Sequence, residues 1–150
     1  MRNAKLSDMK NKFRKVYYGR AMDGMKEKEM ASEYNMIDMR LKENAMELVN
    51  PFTRQHKSYI QDKHNGKLVA QDNWKKMNEA DCVIINLSIR GHLYIGCIDE
   101  MVNANQKGCF VIVIVGEAGA DKHYYTHMRA DLIVKTIDEA FAFFSSRFVS

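Results

Sequence analysis

The sequence has little proline, cysteine or tryptophan, and its few cysteines argue against a disulfide-rich secreted protein. Its 150 residues contain one proline, three cysteines and one tryptophan. The cysteines, at positions 82, 97 and 109, are odd in number and lack the spacing of a metal site. We therefore expect reduced structural thiols and a cytoplasmic setting.

Long apolar runs and a strong charge excess are also missing. No stretch reaches the length of a membrane span, and no apolar segment follows the basic start as in a secretory signal. We expect a soluble protein with a polar leader over residues 1–13 and one domain over 14–150, without repeat or linker. The net charge of +4 is too small and dispersed for nucleic-acid binding, although it suits an anionic small molecule.

Strand and helix patterns alternate along the rest of the chain. Predicted strands cover residues 15–19, 48–52, 82–87, 110–115 and 131–135. Predicted helices cover 25–48, 68–79, a segment from about 96, and 137–144, while 53–66 reads as a long surface loop. The continuous apolar strands are typical of strands covered on both faces. The pattern predicts an α/β fold with a parallel sheet and helices on both faces.

One segment, GCIDEMVNANQKGCFVIVIV from Gly96 to Val115, carries a candidate for chemistry. It reads as a glycine, a helix with Glu100 near its start, a second glycine and a buried strand. Ligands of open α/β sheets bind where loops leave the strands and helices begin. Glu100 is therefore predicted to lie at such an edge, although a helical glutamate taken alone is more often a solvated surface group.

Three segments together resemble one family, the nucleoside 2-deoxyribosyltransferases and the related enzymes that hydrolyse nucleotide N-glycosidic bonds. They are VYYGRAM (16–22), QDNWKKMNEADCVIINLS (71–88) and the glycine–glutamate segment described above. The second segment has the family's pair of aspartates nine positions apart, Asp72 and Asp81. The third fills the family's pattern with Gly96, Glu100, Ala104 and Gly108.

This resemblance implies a fold and three catalytic residues. The fold would be a flavodoxin-like domain with five parallel strands in the order 2-1-3-4-5. Glu100 would be the nucleophile that attacks the anomeric carbon, kept ionised by the helix dipole. Tyr17 would hydrogen-bond that nucleophile, and Asp72 would orient or protonate the nucleobase. Read without the family, Tyr17 is a core aromatic and Asp72 an exposed helical acid.

The same segments supply the predicted substrate-binding residues. Arg20 stands where the family has a small residue, and the loop 88–95 adds further polar groups before the helix. These departures favour a nucleoside 5′-monophosphate over a neutral nucleoside, with solvated arginines as the equal alternative. The predicted set is Gly19, Arg20, Asn86, Ser88, Arg90, Gly91 and Gly96.

The sequence therefore predicts an enzyme that cleaves the N-glycosidic bond of a nucleoside or nucleotide and passes the sugar to another base or to water. The alternative is a non-catalytic nucleotide-binding module of the same fold. We predict no cofactor and no metal, because nothing completes a ligand set around His123 and His127. The GxxxxGK[ST] loop is missing as well. The resemblance also implies a homodimer or a higher homo-oligomer.

Overall fold

The structure, a computed structural model, describes residues 13–21, 25–52, 66–89 and 95–145. Its sheet has five strands, all parallel, in the order β2-β1-β3-β4-β5. The strands are β1 (Lys15–Arg20), β2 (Glu47–Leu48), β3 (Cys82–Asn86), β4 (Phe110–Ile114) and β5 (Leu132–Val134). This sheet confirms the predicted flavodoxin-like α/β fold and its strand order.

Five α-helices connect the strands in the described parts of the chain. They are α1 (Glu27–Glu43), α2 (Gly66–Glu79), α3 (Ile95–Gln106), α4 (Tyr124–Arg129) and α5 (Ile137–Phe144), with a short 3₁₀ helix at Ala120–Lys122. None of these helices is long and apolar enough to cross a membrane. The predicted loop 53–66 lies outside the described residues except for Gly66, which begins α2.

The sheet separates two apolar clusters because side chains alternate along each strand. Tyr18, Ile84 and Ile112 pack on the face covered by α1 and α5. Tyr17, Val83 and their neighbours pack on the other face with residues of α2 and α3. The uninterrupted burial of β3 and β4 follows from this double coverage. The first side of the sheet is the α1/α5 face and the second is the α2/α3 face.

Three local features differ from the sequence prediction. The second strand, predicted over residues 48–52, covers only Glu47–Leu48, because the side chain of Asn50 takes the place of main-chain pairing with Tyr18. Helix α1 ends at Glu43 instead of continuing to residue 48, because Ala45 adopts the left-handed conformation with φ of 58°. Glycine is the usual residue at such a helix end, so an alanine gave no signal there. Helix α4 was missed because its six residues, YYTHMR, are too few for a helical period to show.

Candidate active site

Glu100 lies in the second turn of α3, on the side that packs against β1. The residue is half-buried, but its Oε2 atom is shielded from solvent. Among the described residues this oxygen has no hydrogen-bond partner. A buried carboxylate oxygen without a partner is costly in a folded protein, and such atoms are concentrated where a site serves a ligand or a reaction.

Gly19 provides the space that the Glu100 carboxyl occupies. A Cβ atom built on Gly19 would lie 2.5 Å from Oε2 of Glu100 and 3.0 Å from Cδ1 of Ile85. Any other residue would therefore displace the carboxyl. Glycine is required at position 19 for a steric reason. Because it has no side chain, the Glu100 side chain of α3 can rest directly on β1.

Burial decides the protonation of Glu100. It raises the pKa of the carboxyl from 4.5 to about 7, and the charge of neighbouring Asp99 adds to this rise. The nearby Tyr17 hydroxyl, which can donate to the carboxyl, opposes the rise. The helix dipole expected to keep the group ionised acts mainly on the first turn of a helix, one turn before Glu100. At neutral pH the carboxyl is therefore divided between its two protonation states.

The two tyrosines of β1 point to opposite faces of the sheet. Tyr17 is buried on the α2/α3 face beside Glu100, and burial followed by the charge of Glu100 raises the pKa of its hydroxyl well above the usual value. Tyr18 is buried on the α1/α5 face. The structure therefore brings Tyr17, Gly19 and Glu100 together, while the catalytic roles of Tyr17 and Glu100 and the substrate-binding role of Gly19 stay predictions.

Cys97 is a further side chain close to Glu100. It lies one helical turn earlier on α3 and is buried. Burial, and after it the charge of Glu100, raises the pKa of the Cys97 thiol, so the group stays protonated. Cys97 therefore acts as a small apolar wall of the site and not as a nucleophile.

Arg20 is directed to a protein carboxylate and not into open space. Its side chain is buried, and Nη1 lies 2.7 Å from Oε1 of Glu33 on α1. Its Nε donates to the carbonyl oxygen of Ala21. In this structure the guanidinium that the sequence offered for a phosphate is held by an internal ion pair.

Asn86 and Ser88 join Arg20 through a continuous set of hydrogen bonds on the α1/α5 face. Arg20 and Asn86 are paired in register at the carboxyl ends of β1 and β3. The Asn86 amide contacts the Tyr18 hydroxyl, which in turn contacts Glu33. On the other side of Asn86, Oδ1 accepts from the backbone N–H and the hydroxyl of Ser88. These predicted binding residues therefore belong to one network, and within the described chain neither Asn86 nor Ser88 forms a hydrogen bond with Glu100.

Asp72 and Gly96 take no part in the hydrogen bonds of this network. Asp72 lies on α2 and forms an ion pair of 2.7 Å with Lys76, one turn away. Gly96 is exposed in the first turn of α3, with open space around the position of a Cβ atom. Arg90 and Gly91 lie outside the described residues. His127 contacts the carbonyl oxygen of Asp121.

Two residues of the network were missed by sequence reasoning. Glu33 looks like a solvated helical acid in the sequence, yet it accepts from both Arg20 and Tyr18. Asn50 is almost fully buried and bonds both the backbone N–H and the carbonyl of Tyr18, at 2.9 and 2.7 Å. It extends the pairing of β1 beyond the two residues of β2. Neither role has a local sequence signal, because both depend on a tertiary partner.

The comparisons with known proteins agree with this architecture. No family model and no curated protein sequence matches the chain. Among solved structures, the chain is similar to the CMP N-glycosidase BcmB of Clostridium botulinum, with a TM-score of 0.55 and 15% sequence identity. The alignment covers 85% of this chain and 95% of that one. At this identity the likeness shows a shared fold.

Proposed function

We propose that the protein is a nucleotide N-glycosidase or a related glycosyltransferase, and that Glu100 is its nucleophile. One observation carries the proposal: a partly ionised carboxyl rests on Gly19 beside the Tyr17 hydroxyl. The fold in which this occurs is also that of a CMP N-glycosidase. The fold supports the reaction class, and the carboxyl supplies the group that such chemistry needs.

The proposed reaction has two displacements at the sugar carbon C1′. An ionised oxygen of Glu100 forms a bond to C1′ while the C1′–N bond breaks, and the electron pair leaves with the base, which takes up a proton. Water or a second base then attacks C1′ and releases the carboxylate. The Tyr17 hydroxyl stabilises the charge on Glu100 before attack and again after release. Transfer and hydrolysis differ only in the second acceptor.

Cytidine 5′-monophosphate and its 2′-deoxy analogue are the substrates for the first test. We expect the wild type to release the base, and Glu100→Gln to lower the rate at least about a thousandfold, because the amide cannot attack C1′. Intact-mass measurement after acid quenching should show a sugar-phosphate adduct on the wild type alone. An excess of a second free base separates exchange from simple release.

Glu79→Gln is the matched control for this test, since Glu79 is an exposed carboxylate at the end of α2. It should keep full activity. Full activity of Glu100→Gln, or an adduct that persists in it, would remove Glu100 from the mechanism. The homo-oligomer implied by the resemblance stays a prediction, which sedimentation equilibrium can test.

The alternative is a nucleotide-binding module that performs no reaction. It is favoured by the ion pair of Asp72 with Lys76, which engages the residue predicted to orient or protonate the nucleobase. Calorimetry with cytidine 5′-monophosphate would then show binding without product. In that case Glu100→Gln would leave the affinity nearly unchanged.

A further inference from the structure

A cleft lies at the carboxyl edge of the sheet, on the α1/α5 face. Its volume is about 380 Å³, within the range of sites for small molecules. Its walls are formed by Met36 and Arg40 of α1 and by the start of α5, and its floor by Ser88, Ile114 and Gly116. Ile114 and the packed Met36 belong to the apolar cluster of the α1/α5 face. Glu100 is not among its lining residues.

The floor of this cleft is held by backbone contacts between neighbouring strand ends. The N–H of Gly116 donates to the carbonyl of Lys135 at 3.0 Å, and the N–H of Leu87 donates to the carbonyl of Ile114 at 2.8 Å. Gly116 has a φ of 51°, and a Cβ atom on it would lie 2.7 Å from Cβ of Ser88. The segments after β3, β4 and β5 are therefore locked together, so the floor keeps its shape before any ligand enters.

The direction of the hydrogen bonds at Ser88 is fixed by one backbone group. The N–H of Ser88 can only donate, so the Asn86 atom 2.9 Å away must be the amide oxygen. The Ser88 hydroxyl lies 2.5 Å from the same oxygen and must therefore donate its only proton to it. The lone pairs of the Ser88 hydroxyl oxygen therefore remain available to accept a hydrogen bond from a ligand. Ser88 consequently accepts from a hydroxyl or amine and is unsuited to a phosphate oxygen.

Two cationic side chains, Arg40 and Lys135, line the cleft together with this acceptor. Arg40 is paired with Asp138 of the lining, and Lys135 is paired with Glu117 at 3.6 Å, so each positive charge has an exposed carboxylate partner. The ion pair of Arg40 with Asp138, at 2.6 Å, involves a carboxylate whose side chain is 85% exposed. An exposed pair of this kind is weak and can yield to a ligand anion. The Arg40 guanidinium is meanwhile positioned over the Phe141 ring, at 4.3 Å from its centroid.

We infer that this cleft binds a small hydroxylated phosphate, with the phosphate at Arg40 and Lys135 and a ligand hydroxyl donating to Ser88. Glu100 does not line the site, so the inference is independent of the proposed glycosidase activity, and it assigns Ser88, a residue predicted to bind the substrate, to this cleft. Arg40 and Lys135 favour a phosphate group. The Ser88 oxygen favours a hydroxyl donor, because its own proton is already donated to Asn86.

Two probes of similar shape test the inference, glycerol 3-phosphate and n-propyl phosphate, which lacks the hydroxyls. We expect the wild type to bind glycerol 3-phosphate about tenfold more tightly, the usual effect of one added hydrogen bond. Ser88→Ala should remove this preference and leave n-propyl phosphate binding unchanged. Lys135→Gln, at an exposed position, should weaken both ligands alike. Calorimetry gives the affinities, and amide shifts locate the ligand.

The controls separate this cleft from the Glu100 site. Ser145→Ala removes an exposed serine whose hydroxyl donates to the Ala142 carbonyl, and it should change nothing. Glu100→Gln should also bind glycerol 3-phosphate normally, whatever its catalytic activity. Equal affinity of the wild type for the two probes would overturn the inference. So would amide shifts grouped around Gly19 and Gly96 instead of Gly116 and Lys135.

Discussion

At the scale of single residues, the protonation of Glu100 couples the site to the stability of the protein. Its pKa is about 7 in the folded state and 4.5 in the unfolded state. Because the folded pKa is the higher one, the folded state is favoured at low pH, and this contribution is lost as the pH rises from about 4.5 to about 7. The folded protein therefore carries an energetic cost for an ionised Glu100 above neutral pH.

We predict that Glu100→Gln stabilises the protein at alkaline pH. The neutral amide resembles the protonated acid, so the variant should match the wild type near pH 4 and exceed it by about 3 kcal/mol near pH 8. Urea unfolding at both pH values measures the difference. Glu79→Gln should show no such trend. A constant difference between Glu100→Gln and the wild type over this range would mean that Glu100 titrates normally.

Gly19→Ala should displace the Glu100 carboxyl without unfolding the protein. The new methyl would meet the flexible end of a side chain, so we expect a stability loss on the order of 1 kcal/mol. The carboxyl would move towards water, and its pKa should fall towards 4.5. Misplacement of a reacting group by about 1 Å costs on the order of a hundredfold in rate. Carbon NMR titration of the Glu100 carboxyl and the base-release assay measure the two effects.

Gly96→Ala is the matched control, because a Cβ atom at Gly96 meets open space. Alanine should raise the stability of α3 by about 0.5–1 kcal/mol and leave the Glu100 pKa unchanged. If Gly19→Ala left both the pKa and the rate unchanged, the contact between β1 and Glu100 would have no functional role.

At the scale of elements, the pair Arg20–Glu33 fixes α1 to the end of β1. The Arg20 side chain is 5% exposed and that of Glu33 is 21% exposed. Glu33→Ala would leave a buried guanidinium and the Tyr18 hydroxyl without their acceptor. We predict a loss of about 3 kcal/mol in the free energy of unfolding, measured by denaturant titration.

Asp38→Ala on the same helix provides the comparison. Asp38 pairs with Lys42, whose side chain is 67% exposed, so its removal should cost less than about 0.5 kcal/mol. The double change of Arg20 and Glu33 to methionine should recover much of the loss, because it removes both buried charges. Similar costs for Glu33→Ala and Asp38→Ala would show that the buried pair contributes no more than a surface pair.

The elements also differ in how far the sequence predicted them. Strands β3 and β4 were predicted because continuous apolar residues leave few alternatives. The motif around Glu100 indicated the carboxylate, and the structure shows the carboxyl of this α3 residue against Gly19 of β1. The partners of Arg20 were not predictable, since an ion pair with Glu33 depends on how α1 lies across the sheet. The end of α1 at Ala45 was hidden because the turn uses a residue without a turn preference.

At the scale of the whole molecule, the two faces of the sheet should respond separately to mutation. Phe143 is fully buried on the α1/α5 face and stacks on Phe110, with ring centroids 5.6 Å apart. We predict that Phe143→Ala costs about 3–5 kcal/mol of unfolding free energy. The pKa of Glu100, on the other face, should not change while the protein remains folded.

The exposed aromatic Tyr124 gives the control for this experiment. Tyr124 is 78% exposed, and Tyr124→Ala should alter the unfolding free energy by less than about 0.5 kcal/mol. Denaturant titration and carbon NMR of Glu100 provide the two measurements. A shift of the Glu100 pKa in Phe143→Ala under native conditions would show that the faces are coupled through the sheet.

The lengths of the outer strands have a consequence for association between molecules. β2 has two residues and β5 has three, whereas the three inner strands have five or six. Another chain could form only a few backbone hydrogen bonds with either outer strand, too few for stable pairing. The architecture thus protects its most apolar strands from fibril-like growth by placing the shortest ones outside them.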